Sequence, residues 1–303
     1  MRSPRGFTLV ELVVGLILSL MVGGLIHRQL TQGRRVSRAQ TERTAMQENV
    51  RVAALVLTGE LGGIGYDEIT PEASAALGYP AELRSDLLAI GPGAVTYRAD
   101  RGGGYVCSVE PGPLPAILVE RASWRSLRAP CVTDSLLVFV DFDVASAADD
   151  GWIHVGVAST ADAACPDGAA ATAIWIALPA TLAPAALAGI TSGSPVRLSE
   201  VMQLRYYESS GQSWLGMRSV STGEVITPVA GPLADSTSGG RGLTLLYRDA
   251  GDALTTVPAA VRAIDIAVLG VTDQRIHGRD LYRALVDSFA VSVRVTPHNA
   301  PRP

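Results

Sequence analysis

Residues 12–26, LVVGLILSLMVGGLI, carry no charge, and the chain continues to Leu61 without a proline. A run this apolar has to lie in hydrocarbon, in a bundle of apolar helices or in a large core. By itself the run is 15 residues long. It approaches the roughly 20 residues that cross a bilayer only if FTLVE, residues 7–11, is included. That extension brings in Glu11, and a carboxylate at the centre of a membrane helix costs about 2.5–3.5 kcal/mol, less near an interface.

The helical pattern does not stop with the apolar run. HRQLTQGRRVSRAQTERTAMQENVRVAALVLTGEL follows, rich in Gln, Arg, Glu, Ala and Leu. Val50, Ala53, Ala54, Leu57 and Leu61 recur at helical spacing, and Gly62-Gly63 is a stop signal. The spacing predicts one helix over residues 7–61, about 80 Å long. Its first half is apolar, and its second half is amphipathic with the 50–61 stripe facing a globular domain. Gly23-Gly24 and Gly33 are the places where it is expected to bend or loosen. The arginines of 28–51 are expected on a face toward solvent or lipid headgroups.

From residue 80 the period shortens to strand-like runs between Gly, Pro, Ser and Asp. Strands are expected at 87–90, 94–99, 105–109, 116–121, 135–141, 152–158, 172–178, 201–208, 213–220, 242–249, 261–271 and 289–295. Residues 143–172 and 228–242, rich in Ala, Gly and Ser, read as loops. The fold class is α+β, a long N-terminal helix packed on a β-rich head.

The chain has 303 residues, 48% of them hydrophobic, and a formal net charge of −4. That is enough for a real core, and the balance does not call for nucleic acid. All 25 basic residues are arginine. Without lysine, Schiff-base chemistry and a P-loop are excluded. The cysteines, Cys107, Cys131 and Cys165, are widely spaced and form no zinc motif. In an oxidising compartment they would give one disulfide and one leftover thiol. Cys107 to Cys131 is the expected pair, because both flank one hairpin-like segment.

Asp141, Asp143, Asp149 and Asp150 could offer oxygens to calcium, but the spacing is not that of an EF-hand. They read as a solvated turn. RDAGDA, with Asp249 and Asp252, reads as a hairpin loop with glycine at positive φ. His27, His154, His277 and His298 have no second ligand at metal spacing, and no hydrolase or metalloprotease motif occurs. No cofactor and no catalytic residue is expected. Arg121, Arg125 and Arg128 around Trp124 form the only basic-aromatic stretch that could contact a nucleic acid, and a solvent-facing segment explains them more simply.

Three readings compete for the N-terminus. A cleaved secretory signal would need an uninterrupted apolar stretch and an A-x-A-like site. A plain signal anchor meets the arginine count: Arg2 and Arg5 precede the span, and Arg28, Arg34, Arg35 and Arg38 follow it, which by charge alone would hold the head inside. The third reading rests on Gly6-Phe7-Thr8-Leu9-Val10-Glu11-Leu12. This stretch resembles the G-F-T-L-x-E-L signal of type IV pilin-like proteins. The resemblance implies cleavage between Gly6 and Phe7 by a prepilin peptidase and N-methylation of Phe7. Glu11 would then have an assembly role, meeting the Phe7 ammonium of its own chain or of a neighbour. Long domains translocate regardless of flanking charge, so the arginine count does not overrule the motif.

The C-terminal third is also similar to pilin-like subunits, specifically PilW-type minor pilins and J-type pseudopilins of type II secretion. Tyr206, Tyr207, Gly211, Leu215 and Arg218 fit their hairpin loosely, and Val261-Arg262 with Ile264 and Ile266 fit a strand. The resemblance implies a leader at 1–6, a transmembrane or filament-core helix at 7–26, an amphipathic continuation at 27–62 and a periplasmic or extracellular head at 63–303. It implies a non-enzymatic subunit that initiates or caps a type IV pilus or a secretion pseudopilus. Its partners would be the peptidase, other major and minor pilins or pseudopilins, an inner-membrane assembly platform and, before assembly, inner-membrane lipid. The alternative is a pilus-tip adhesin or DNA-uptake module carried on a pilin stem.

Overall fold

The computed structural model describes residues 9–64, 86–126, 128–142, 145, 150–178, 184–235, 242–272, 276–277, 284–285 and 288–297. Helix α1 spans Leu9–Gly62 and runs uninterrupted through Gly23-Gly24 and Gly33. At 1.5 Å per residue its 54 residues measure about 81 Å. The expected stripe is the face that packs: Val50, Ala53, Ala54, Leu57 and Leu61 are buried, joined by Ala39 and Met46.

The head is antiparallel. In chain order its strands are β1 (Leu87–Gly91), β2 (Ala94–Glu110), β3 (Ala116–Glu120), β4 (Arg125–Ser126), β5 (Ser135–Val140), β6 (Gly151–Ala164), β7 (Ala170–Ala177), β8 (Pro195–Ser209), β9 (Gln212–Ser219), β10 (Thr227–Leu233), β11 (Leu243–Arg248), β12 (Ala263–Val271), β13 (Ile276–His277), β14 (Ala284–Leu285) and β15 (Ser288–Val295). The two predicted runs at 94–99 and 105–109 are one strand, β2. Two expected loops are corrected in part. Residues 151–164 extend the predicted strand as β6, and 227–233 form β10, where Ala230 and Leu233 point into the core. Sparse large side chains hid both from a periodicity argument.

Two hydrophobic cores share one pair of strands. The first lies under α1. Val50, Ala53, Leu57 and Leu61 of the helix meet Val95 and Tyr97 of β2, Met202 and Leu204 of β8, Leu215 of β9 and inward residues of β10, β11, β12 and β15. Gly270 of β12 sets the approach: a Cβ there would sit 2.3 Å from Val50 Cγ2. Asn49 adds a hydrogen bond from its side-chain amide to the Gly231 carbonyl, at 2.6 Å.

The second core fills a closed barrel. Register partners run β2 to β3, β3 to β7, β7 to β6, β6 to β5, β5 to β8, and β8 back to β2. Each of the six strands contributes alternate residues to the interior, from Val106 and Ile117 through Leu136, Ile153 and Ile174 to Val196. A closed ring this small is filled by its own side chains and leaves no free sheet edge. Its other strands come from residues inserted between β2 and β8, whose pairing ends at the partners Tyr105 and Pro195. Where β2 turns from one core to the other, Gly102 has φ +137° and a Cβ there would lie 2.0 Å from the Arg125 carbonyl oxygen.

The disulfide is a correction. Cys107 is bonded to Cys165, and Cys131 is free. The hairpin reading failed because the strand after Cys107 continues into β3 and then pairs with β7, so the β6–β7 hairpin carries Cys165 onto β2. There it seals a small cluster with Ala116, Leu118, Ala171 and Ala173. Cys131 instead lies near Arg128 and Thr133. The RDAGDA turn also differs from expectation, since positive φ falls on Asp252 (φ 61°) and not on Gly251. By contrast, the β8–β9 turn uses Ser210 and Gly211, both at positive φ, as a two-residue hairpin turn does.

Non-reducing peptide mapping should recover Cys107 linked to Cys165. Closing a loop of this 58-residue separation is worth about 4 kcal/mol in the chain-entropy account, so Cys165→Ser should lower the melting temperature markedly and Cys131→Ser hardly at all.

Candidate functional site

No residue from Leu9 to Leu30 is covered by the rest of the chain. The side chains from Leu9 to Ile26 are exposed, including Leu9, Val10, Leu12, Leu16, Leu20, Met21 and Leu25. This one helix is long and apolar enough to cross a membrane. An apolar surface of this extent stands open on a chain whose two cores are well filled. Glu11 sits in the first turn of α1, where the helix dipole favours a carboxylate. Gly6 and Phe7 lie outside the described residues.

The stem is tied to the head by a polar chain at the waist between the two cores. Along β8, Val196 and Leu198 face the barrel core and Met202 and Leu204 face the helix core. Between them, on the same face, Glu200 is 7% exposed. Arg101 of β2 donates to Glu200 at 3.1 Å and lies 3.5 Å from Glu60 of α1. The Tyr97 hydroxyl donates to Glu60 at 2.6 Å. On the other side, Arg128 donates to Glu200 at 3.2 Å and forks onto Asp134 with two bonds of 2.6 Å. The Cys131 backbone N–H also donates to Asp134.

The shifts follow from this geometry. Burial opposes the charged forms of Asp134 and Glu200, but their hydrogen bonds outweigh it and both carboxyls stay below the ordinary range. Burial, reinforced by Glu60, pushes the Tyr97 hydroxyl up. Burial lowers Arg101, but its carboxylate neighbours raise it further than burial takes away. The network spans α1, β2, β8 and the segment before β5. It was not legible in sequence, because its members lie up to 140 positions apart (Glu60 to Glu200).

The other candidates disperse. Arg128 is taken up by Asp134 and Glu200, Arg121 pairs with Asp162, and Trp124 packs on the barrel core. Arg125 is exposed, and its guanidinium donates to the Ala122 carbonyl at 3.0 Å. Asp143 and Asp149 lie outside the described residues, and no group of metal-ligating side chains occurs among the described residues. His27 is exposed on the stem. His154 is in the barrel wall, where burial and then the Arg98 charge lower it to about 4. The side chain of His277 and all of His298 lie outside the described residues. Comparison with known proteins finds no matching family model, no matching curated protein and no matching solved structure.

Glu200→Gln should cost about 3 kcal/mol at neutral pH, because two guanidinium groups lose a buried charged partner. A carboxyl held below its unfolded value stabilises the fold above that value, near pH 4, and the contribution is lost as pH falls through the folded value. The gap between wild type and variant should therefore narrow between pH 5 and pH 3 in thermal melts. A gap independent of pH would rule out the charge account.

Proposed function

We propose that this chain is a type IV pilin-like assembly subunit, a minor pilin or pseudopilin, and not an enzyme. The observation that carries the reading is the open apolar stem. Its start coincides with Gly6-Phe7-Thr8-Leu9-Val10-Glu11-Leu12, the motif at which a prepilin peptidase would cut. Before cleavage the helix holds the precursor in the inner membrane with the head in the periplasm. Afterwards the same apolar surface joins the helices of a filament, where burial against other stems replaces burial in lipid. Glu11 pairs with the Phe7 ammonium of its own or a neighbouring chain, since a carboxylate in an apolar bundle persists only when paired. A head with two cores limits side-by-side stacking, which suits an initiating or capping subunit of a pilus or secretion pseudopilus.

Mass spectrometry should find a mature chain beginning at methylated Phe7, and a chain retaining Met1 would sink the proposal. Glu11→Ala should reduce incorporation into filaments by roughly tenfold or more, with the head still folded.

A second reading is favoured by the barrel, which has its own core and arises from an insertion. In that reading the barrel is an adhesive or DNA-contacting module carried by the stem. Replacing residues 106–194 by a two-residue turn would join the register partners Tyr105 and Pro195 directly. Surviving assembly with lost surface binding would identify the barrel as the ligand module, whereas lost assembly would assign it to the filament.

A further inference from the structure

Two groups of arginines differ in what surrounds them. In the head, Arg98, Arg101, Arg121, Arg128, Arg197, Arg248 and Arg294 each face a carboxylate. On the stem, Arg28, Arg34, Arg35 and Arg38 are exposed and have no carboxylate partner among the described residues. No Asp or Glu occurs between Glu11 and Glu42, so this length of helix is purely cationic. At about 100° per residue the four arginines share an arc of roughly 120°. Arg28 and Arg35 continue the line of the face that meets the head further along the stem, and Arg34 and Arg38 lie beside it.

We propose that this arginine face binds the phosphates of anionic phospholipids in the leaflet on the head's side of the membrane. The inference rests on reading the apolar run as a membrane span. Beyond Ile26, Arg28 lies about 3 Å further along the axis, Arg34 and Arg35 about 12–14 Å, and Arg38 about 18 Å. Helical side chains lean toward the N-terminus, which here is the membrane side. Arginine stems therefore carry their guanidinium groups back toward the surface. With a reach of roughly 6 Å, Arg34 and Arg35 deliver charge into a headgroup layer about 5–8 Å deep. The first stem residue buried by the head is Ala39, about 20 Å along the axis beyond the apolar run, and Arg28, Arg34, Arg35 and Arg38 before it are exposed. A guanidinium matches a phosphate with two parallel hydrogen bonds. Carboxylates of a second copy are the competing occupant. A neighbouring stem at the same height, however, presents the same arginines and no acid. In the leaflet these arginines resist being drawn through the bilayer, and each phosphate contact must be given up when the subunit leaves the membrane.

The test uses the purified full chain in detergent with equal amounts of phosphatidylglycerol and phosphatidylcholine of matched acyl chains. Native mass spectrometry counts the retained lipids. Wild type should enrich phosphatidylglycerol about tenfold, and R28Q/R34Q/R35Q/R38Q should lose the preference. Arg121→Gln, on the head, should keep it. No preference in wild type, or preference intact in the quadruple variant, overturns the proposal. So does displacement by millimolar inorganic phosphate, which would show a site for the free anion. A quadruple variant that loses cross-linking between copies but keeps its lipid preference would assign the face to a second chain. Flotation with phosphatidylcholine vesicles tests the span separately. A chain that fails to float undoes the membrane reading itself, whereas one that floats without lipid preference undoes only the arginine assignment.

Discussion

The antiparallel pairing of β2 with β8, eleven register partners long, belongs to both hydrophobic cores. One end of the pair lies beneath the stem helix, and the other closes the barrel. Neither core is complete without it. Val95, Tyr97, Met202 and Leu204 serve the helix side, and Val196 and Leu198 the barrel side. The insertion between Tyr105 and Pro195 is tolerated because those two residues are already adjacent in the sheet. A long excursion between adjacent strand ends costs only slowly growing loop entropy, and here the excursion builds its own core.

The waist explains why charge lies between two apolar regions. A strand that passes from one core to another presents one inward position that neither core fills, and Glu200 occupies it. Arg101 answers it from the stem side and Arg128 from the barrel side. Ion pairs of this kind add little over well-packed apolar groups but are costly to break singly. Glu60 extends the same chain of contacts into α1. The stem is thus held to the head by apolar packing along Val50 to Leu61, by the Asn49 hydrogen bond to Gly231 and by this polar chain near its end.

The stem divides by chemistry along its length. An open apolar segment comes first, an acid-free cationic segment follows, and the half that packs on the head comes last. Each segment is suited to a different surrounding: hydrocarbon or other stems, a charged interface, and a folded domain. That ordering is a property of one helix, which is why a short chain of local arguments reaches it.

The helix, its packing stripe from Val50 to Leu61 and most strands were legible in sequence, because period and breakers are local signals. The arginine face was legible for the same reason, since helical spacing alone places it. Strand β10 and the tip of β6 were not, since β10 has few large side chains and residues 159–164 of β6 are mostly small and exposed. The Cys107–Cys165 bond, the closed ring and the Glu60–Arg101–Glu200–Arg128–Asp134 chain depended on which strands became neighbours. Sequence determined the stem helix, whose backbone hydrogen bonds join residues one turn apart. Only the tertiary structure decided the head, because strand pairing joins residues about a hundred positions apart, and no local pattern encodes which edge meets which.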